Sequence, residues 1–432
     1  MGGTGVLNGM AFVKPPLSDM DEWAAAGCIG WDGASMQPHL SASECASNFE
    51  AQGLDRKTVE ENCHGMDGPQ SISWGDPSRA SPISHAFIAG CAEVGQNIVE
   101  DYNAPSCEHG VGRLQFYQRD GTRAHSGREF VDGSGVDLEP QSYVTKLSLS
   151  ADALSGGVQC TGVEYIDAAG QQSRADAGTK VIVAAGTFAS PALLMRSGIG
   201  NSQHLASHGI EALVDLPGVG QNLQDHIWCP VSTLSSVPLP KEEYENHVET
   251  HLLTASSLAD GRRDMQIMQC CIMSGEAAFA AGAGVPGFVL VPTVLYPKSV
   301  GSVTLTSGSV FDAPTIDPNF LTDPEGHDLQ VRKTTSTFFL CHGCHSYILN
   351  TSRNTVETNL NHWKAKKART VLFRAKPSAG AVRGRRSRAC DYALGCNERR
   401  RRRRALSVKH ALGAAWCGGP QPSDGALLAG RG

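Results

Sequence analysis

The 432-residue chain is long enough for two or three domains and a large core, at roughly 150 residues per domain. Its 41% hydrophobic content and 48 glycines describe a loop-rich globular α/β protein, and without a run of about 18 apolar residues no membrane partner is expected. The net charge of −6 conceals a division: residues 1–330 carry 16 basic and 39 acidic side chains (−23), residues 331–432 carry 21 and 4 (+17). Fourteen cysteines without a repeating spacing argue against a small disulfide scaffold and leave the redox compartment open.

In chain order, "MGGTGVLNGMAFVKPP" opens with Gly2-Gly3-Thr4-Gly5, a loop of the kind that lets a backbone approach a phosphate or a planar cofactor. No basic and apolar leader precedes it. "DMDEWAAAGCIGWD" reads as a short amphipathic helix anchored by Trp23, and "SPISHAFIAGCAEVG" as a longer helix burying Ile83, Phe87, Ile88 and Cys91. Residues 141–166 alternate in strand fashion around Ser155-Gly156-Gly157, a hairpin signal. In "TKVIVAAGTFASPALLMRSGIG" the run Val181–Ala185 predicts a strand covered on both faces. Gly186 follows as a turn, then a helix with Ser190 as N-cap and Pro191 at its first position, stopping at Gly198. Strand, glycine turn and helix start together describe a doubly wound, ligand-binding unit. "LVDLPGVGQNLQDH" is a loop, and "GSVTLTSGSVFDAPTIDPNFL" gives a strand, a turn and an extended segment.

Beyond about residue 335 the periodicity ends. Residues 375–432 hold 11 Ala, 9 Gly, 3 Pro and 11 Arg, with an unbroken Arg399–Arg404 run, a composition unable to bury enough surface to order itself. These residue types are also those of GC-rich codons, so a shifted reading frame would read the same way. "CHGCH" (341–345) has the form of a haem attachment motif, and Cys341, Cys344 and His345 form an incomplete zinc set; neither has a partner suggested by spacing.

These stretches resemble the glucose-methanol-choline (GMC) flavoprotein oxidoreductases. "GGTGVLNGMAFVKP" looks like the family's first signature, with Asn8, Phe12 and Pro15 in place; "GTFASPALLMRSGIG" is similar to the second. "LPGVGQNLQDH" and "GSVTLTSGSVFDAPTIDPNFLTDPE" also look like family stretches, so the resemblance runs from residue 2 to about 330. It implies an FAD-binding doubly wound (Rossmann-like) α/β domain, incomplete, with an interleaved α+β substrate domain built on an antiparallel sheet. Residues 1–230 would form the FAD-binding region with interleaved substrate-domain elements. Residues 231–335 would form the substrate domain and the start of the C-terminal region, and residues 336–432 a basic low-complexity tail.

By the same resemblance, Thr4, Asn8, Gly9, Met10 and Ala11 would run beside the flavin ring and ribityl chain, where uncharged polar groups suit flavin carbonyls and ring nitrogens. The backbone of Val144 would meet the adenine. The loop, the turn at Gly186 and the helix start at Ser190 are expected to share one cleft. The family's glycine-rich first βαβ unit and its histidine-bearing C-terminal motif have no counterpart here, so the chain would start inside the FAD site. Weak FAD binding and little alcohol oxidation are then expected. No catalytic residue can be named, no metal is implied, and Asn222, Asp225 and His226 receive no chemistry; His226 reads as a hydrogen-bonded structural residue.

The function implied is FAD-dependent oxidation of the CH–OH group of a small alcohol, with oxygen or another electron acceptor. The alternatives are a lyase or cyclase that keeps FAD as structure, and a nucleic-acid-binding protein acting through the arginine-rich tail. The acidic body disfavours the last.

Overall fold

The computed structural model of the chain describes residues 2–50, 53–107, 109–151, 157–228, 230–234, 246–259, 261–271 and 287–328. The basic tail, the CHGCH stretch and most of the turn at 152–156 lie outside these residues. Among the described residues no helix is long and apolar enough to cross a membrane.

The centre is an antiparallel sheet of six strands. In spatial order it runs Ile227–Trp228, Gly287–Val294, Met265–Cys270, Val248–Thr254 and Gly110–Arg113, with Val231–Leu234 also paired to Gly287–Val294. All eight residues of Gly287–Val294 are buried, as a strand flanked on both sides and covered on both faces must be. Side chains alternate between the faces. Leu252, Ile267 and Leu290 meet Ile83, Phe87 and Cys91 of the helix Pro82–Glu93 on one face. Leu253 turns to the other, where it packs with Tyr102, Leu114 and Phe116. This helix forms as expected: Ser81 caps it by accepting from the Ile83 amide, and the buried Glu249 of the sheet accepts from the Ser81 amide (2.8 Å) and the Ser84 hydroxyl (2.6 Å). The cap thus ties helix to sheet across 168 positions of sequence.

The hairpin also forms. Tyr143–Ala151 and Val158–Ile166 pair antiparallel, and Gln172–Asp176 adds a third strand. The helix Gly186–Arg196 lies against this sheet, and the Ser197 hydroxyl accepts from the Leu147 amide at 2.9 Å. Ser302–Thr304 and Thr315–Asp317 pair as the last two-stranded element.

Three local expectations are corrected. In the helix Leu17–Ala25 the buried residue is Met20 and Trp23 is half exposed; Trp23 leans on Trp31 (centroids 6.2 Å apart) outside the core. Residues 181–185 form no strand and Ile182 is 85% exposed, because among the described residues no strand lies alongside to complete its hydrogen bonds or cover its faces. Without that strand, the helix begins at Gly186 with Ala185 as N-cap, so Ser190 is no cap and Pro191 falls inside the helix. Proline lacks the N–H that would bond the Thr187 carbonyl, which an exposed first turn tolerates because water can take its place. The stop at Gly198 holds: its φ of 87° is left-handed, and its amide bonds the Met195 carbonyl.

Candidate functional site

Gly2 and Gly3 have positive φ and feed a short 3₁₀ turn, Gly3–Val6. A Cβ at Gly2 would sit 2.7 Å from His125 Nδ1, so only glycine lets the loop lie this close to the segment 123–126. Asn8 organises the second half. Its side-chain oxygen accepts from the Met10 amide (3.0 Å) and from Arg123 Nη1 (2.7 Å), and Met10 takes a left-handed φ of 62°. The same Arg123 nitrogen donates to the Gly5 carbonyl at 3.1 Å, and Asn246 Nδ2 donates to the Gly9 carbonyl at 2.8 Å. Met10 and Ala11 reach the sheet face that holds Tyr102, Leu114 and Phe116, and Ala11 pairs with Phe116. Thr4, Asn8 and Gly9 stay exposed, and no atom lies within 4 Å of a Cβ placed on Gly9. The result is a braced loop with an open uncharged face.

Arg123→Ala removes both of these anchoring bonds. We expect a loss of about 1 kcal/mol, since the pairing is charge-assisted but exposed, and faster amide hydrogen exchange at Leu7 and Asn8, with the protection of Leu252 and Leu253 unchanged.

Behind the loop lies a buried quartet of charges. Lys14 Nζ meets Glu44 Oε1 at 3.0 Å; the other Glu44 oxygen lies 2.8 Å from His64 Nδ1, and His64 Nε2 lies 3.0 Å from Asp101 Oδ2. All four residues are buried. Both ring nitrogens face carboxylate oxygens, and a neutral imidazole can donate only once. The doubly protonated ring is therefore the form that fits, and the quartet is then electrically neutral. Burial alone would push the His64 pKa down, but the hydrogen bonds to Asp101 and Glu44 outweigh it and hold it above the ordinary value of 6.5. Burial would raise the Asp101 carboxyl; His64, the Asn103 amide and Gln115 reverse this and lower it. The quartet steadies the chain beyond the loop: the Asn103 side chain accepts from the Lys14 amide (2.7 Å) and donates to the Phe12 carbonyl (3.0 Å), which also accepts from the Tyr102 hydroxyl.

His251, on the strand Val248–Thr254, is wholly buried edge-on to Tyr102, with centroids 4.1 Å apart. Its Nδ1 is 3.0 Å from Gln266 Nε2 while Nε2 has no partner, so burial, with a contribution from the charge of Arg263, pushes its pKa down to about 3. It is a neutral core histidine.

Two cavities adjoin this region. One of about 370 Å³ is bounded by Lys14, Pro16, Asn103, His109, Arg263 and Tyr296, among others. The other, of about 600 Å³, includes Asp225, His226, Arg262 and Lys298 in its wall. His226 is exposed there and its ring has no hydrogen bond among the described residues, against the expectation of a hydrogen-bonded structural residue. Cys270 and Cys271 are free thiols, both pushed up to about 11 by burial and so unreactive.

Of the residues singled out from sequence, Thr4, Asn8, Gly9, Met10 and Ala11 come together in the one loop. Val144 sits elsewhere, on the edge strand Tyr143–Ala151, paired with Tyr165 on one side. Sequence reasoning missed Arg123, Asn246 and the quartet. Arg123 had a readable signal, since Asp120-Gly121 in "QRDGTR" is a tight hairpin turn, with φ of 49° and 72° in the structure. Asn246 and the quartet had none, because their partners are up to 237 positions away.

Residues 1–228 match the GMC oxidoreductase family, and the chain belongs to that family. It is 32% identical to choline oxidase of Arthrobacter globiformis over 336 residues, 77% of this chain and 59% of that protein. It is 30% identical to the oxygen-dependent choline dehydrogenase of Brucella anthropi over 346 residues, 74% of this chain and again 59% of the relative. The chain therefore spans about three fifths of the length of these relatives. Among solved structures, formate oxidase superposes with a TM-score of 0.70 at 20% identity, covering 80% of this chain and 67% of that one. Pyridoxine 4-oxidase from Mesorbium loti gives 0.65 at 24% identity, covering 81% and 63%. At those identities the likeness is one of fold, and it is the mixed α/β fold with antiparallel sheets expected from the sequence.

Proposed function

We propose that this chain is the flavin-holding part of an FAD-dependent oxidoreductase acting on the CH–OH group of a small alcohol, with oxygen or another acceptor completing the cycle. The observation that carries the reading is the braced loop Gly2–Ala11, with its open, uncharged face. Exposed Thr4, Asn8 and Gly9 offer a hydroxyl, an amide and unobstructed backbone, the donor set that a neutral ring system with carbonyls and ring nitrogens requires. Bound FAD would supply the hydride acceptor. The chain's own share is to fix the loop through Arg123 and Asn246 and to seat it on the sheet through Met10 and Ala11. The edge strand at Val144 has one side without a strand partner among the described residues, and its backbone would meet the adenine. In this reading residues 1–230 serve chiefly the cofactor, and residues 231–335 begin the substrate side.

Gly9→Val is the sharpest test, because the added side chain enters open space and should leave the fold intact. Its melting temperature should match the wild type while FAD affinity, followed by flavin fluorescence, falls at least tenfold. An unchanged affinity would remove the loop from the cofactor site. Anaerobic bleaching of the reconstituted protein by any member of a panel of primary and aryl alcohols supports the oxidoreductase reading.

A further inference from the structure

The cavity of about 370 Å³ beside Lys14 carries a charge pattern that the proposed chemistry does not use. Its wall includes Lys14, Arg262 and Arg263 but no carboxylate. Two of these cations are matched: Lys14 by Glu44, and Arg262 by Glu22 at 2.5 Å. Arg263 forms no ion pair among the described residues, and its one hydrogen bond, to the Cys107 carbonyl, is long at 3.4 Å. The two carboxylates nearest to it in sequence or field are committed elsewhere. Asp264 takes both the Ser256 amide (2.6 Å) and the Ser256 hydroxyl (2.5 Å), and Asp19 takes the Tyr296 hydroxyl (2.8 Å).

A second observation points the same way. His109 also lines this cavity, and its Nδ1 is buried without a hydrogen-bond partner. A buried polar nitrogen left unpaired is costly, and a ligand oxygen would relieve that cost. Around the two groups the wall alternates small apolar surface (Pro15, Pro16, Ala104, Pro105) with the amide of Asn103. The volume falls at the lower end of the range of small-molecule sites. Arginine's planar fork is matched to a carboxylate.

We infer that this cavity binds a small monocarboxylate with a compact apolar body, its carboxylate held by Arg263 and its neighbourhood completed by His109. The carboxylate could belong to a separate small acid or to the alcohol substrate itself, since Lys14–Pro16 on the wall continue directly from the loop at Ala11. The second case rests on the oxidoreductase reading; the first does not.

The test uses the full chain with and without FAD, and benzoate as the probe, with benzamide as its uncharged counterpart. Benzoate should raise the melting temperature saturably and benzamide should not. Arg263→Gln should weaken benzoate binding at least tenfold in calorimetry, whereas Arg263→Lys, which keeps the charge but loses the planar fork, should fall between the two. Equal effects of benzoate and benzamide on the wild type would overturn the inference, and so would a Gln variant that binds benzoate normally. The wild-type comparison decides even if the Gln variant fails to fold. If the wild type bleaches with alcohols, 4-(hydroxymethyl)benzoate is compared with benzyl alcohol. A selective fall in kcat/KM for the acid in Arg263→Gln places the carboxylate on the substrate; equal values with benzoate binding lost place it on a separate ligand. Benzoate binding without FAD binding would leave this inference standing while the oxidoreductase reading fails.

Discussion

Glu44→Gln is expected to destabilise the chain by about 3–5 kcal/mol, because it strands charge in a dry interior. The carboxylate of Glu44 is the partner of both Lys14 (3.0 Å) and His64 (2.8 Å), and all three side chains are buried. An amide of the same shape keeps the volume and one acceptor oxygen, but the negative charge is gone and its NH2 faces the second cation, which is left with only its other partner: the Cys63 carbonyl (2.8 Å) for Lys14, or Asp101 for His64. On the order of 10 °C should be lost from the melting temperature. Adding Lys14→Met removes the stranded cation, so the double variant should recover part of the loss. A single variant within about 1 kcal/mol of wild type, or a double variant worse than the sum of both changes, would show that the quartet is solvated and contributes little.

Stability should also peak near pH 6.5 and fall on both sides, driven by two histidines buried in opposite charge states. His251 has its pKa pushed down to about 3, from an ordinary 6.5. Its contribution is complete above 6.5 and is lost as the pH falls toward 3, because the unfolded chain takes up a proton that the folded one refuses. The whole of it amounts to roughly 5 kcal/mol. His64 lies above 6.5 in the folded chain, so its contribution is complete below 6.5 and is lost as the pH rises through the folded value. Asp101, held below its ordinary 3.8, adds stability above that value which fades as the pH falls through its folded value. Chemical denaturation across pH 4–9 measures these limbs. His251→Leu should flatten the acid limb and His64→Gln the alkaline one. An acid limb of unchanged slope in His251→Leu would refute this origin.

What could be read in the sequence was what local chemistry dictates. The helix at Pro82–Glu93 announces itself through Ser81-Pro82 and the spacing of Ile83, Phe87 and Cys91. The hairpin at 143–166 follows from alternation, and the loop at Thr4–Ala11 from glycines and a signature pattern. The misreadings have one cause. Val181–Ala185 has the composition of a core strand, yet a strand exists only where neighbours accept its hydrogen bonds, and composition says nothing about neighbours. Trp23 failed similarly, since Met20 and Trp23 both fit the apolar side and only the packing partner chooses between them. The quartet was illegible for a related reason: Lys14, Glu44, His64 and Asp101 are ordinary surface residue types until the fold brings them together from four segments.

The long-range bonds of the central sheet also fix the order in which the protein can be made. Gly110–Arg113 must wait for Val248–Thr254, which in turn needs Met265–Cys270 and Gly287–Val294. The cap of the helix Pro82–Glu93 is incomplete until Glu249 arrives, and the Gly9 carbonyl until Asn246 does. Non-local pairings of this kind form slowly, because loop-closure entropy is met before any contact compensates it. On a ribosome the loop would emerge long before Asn246, the residue that completes it 237 positions further on. From Arg113 to Val248, 135 residues of synthesis, the apolar face of the first sheet strand would stand open, the kind of interval in which exposed strand edges invite aggregation.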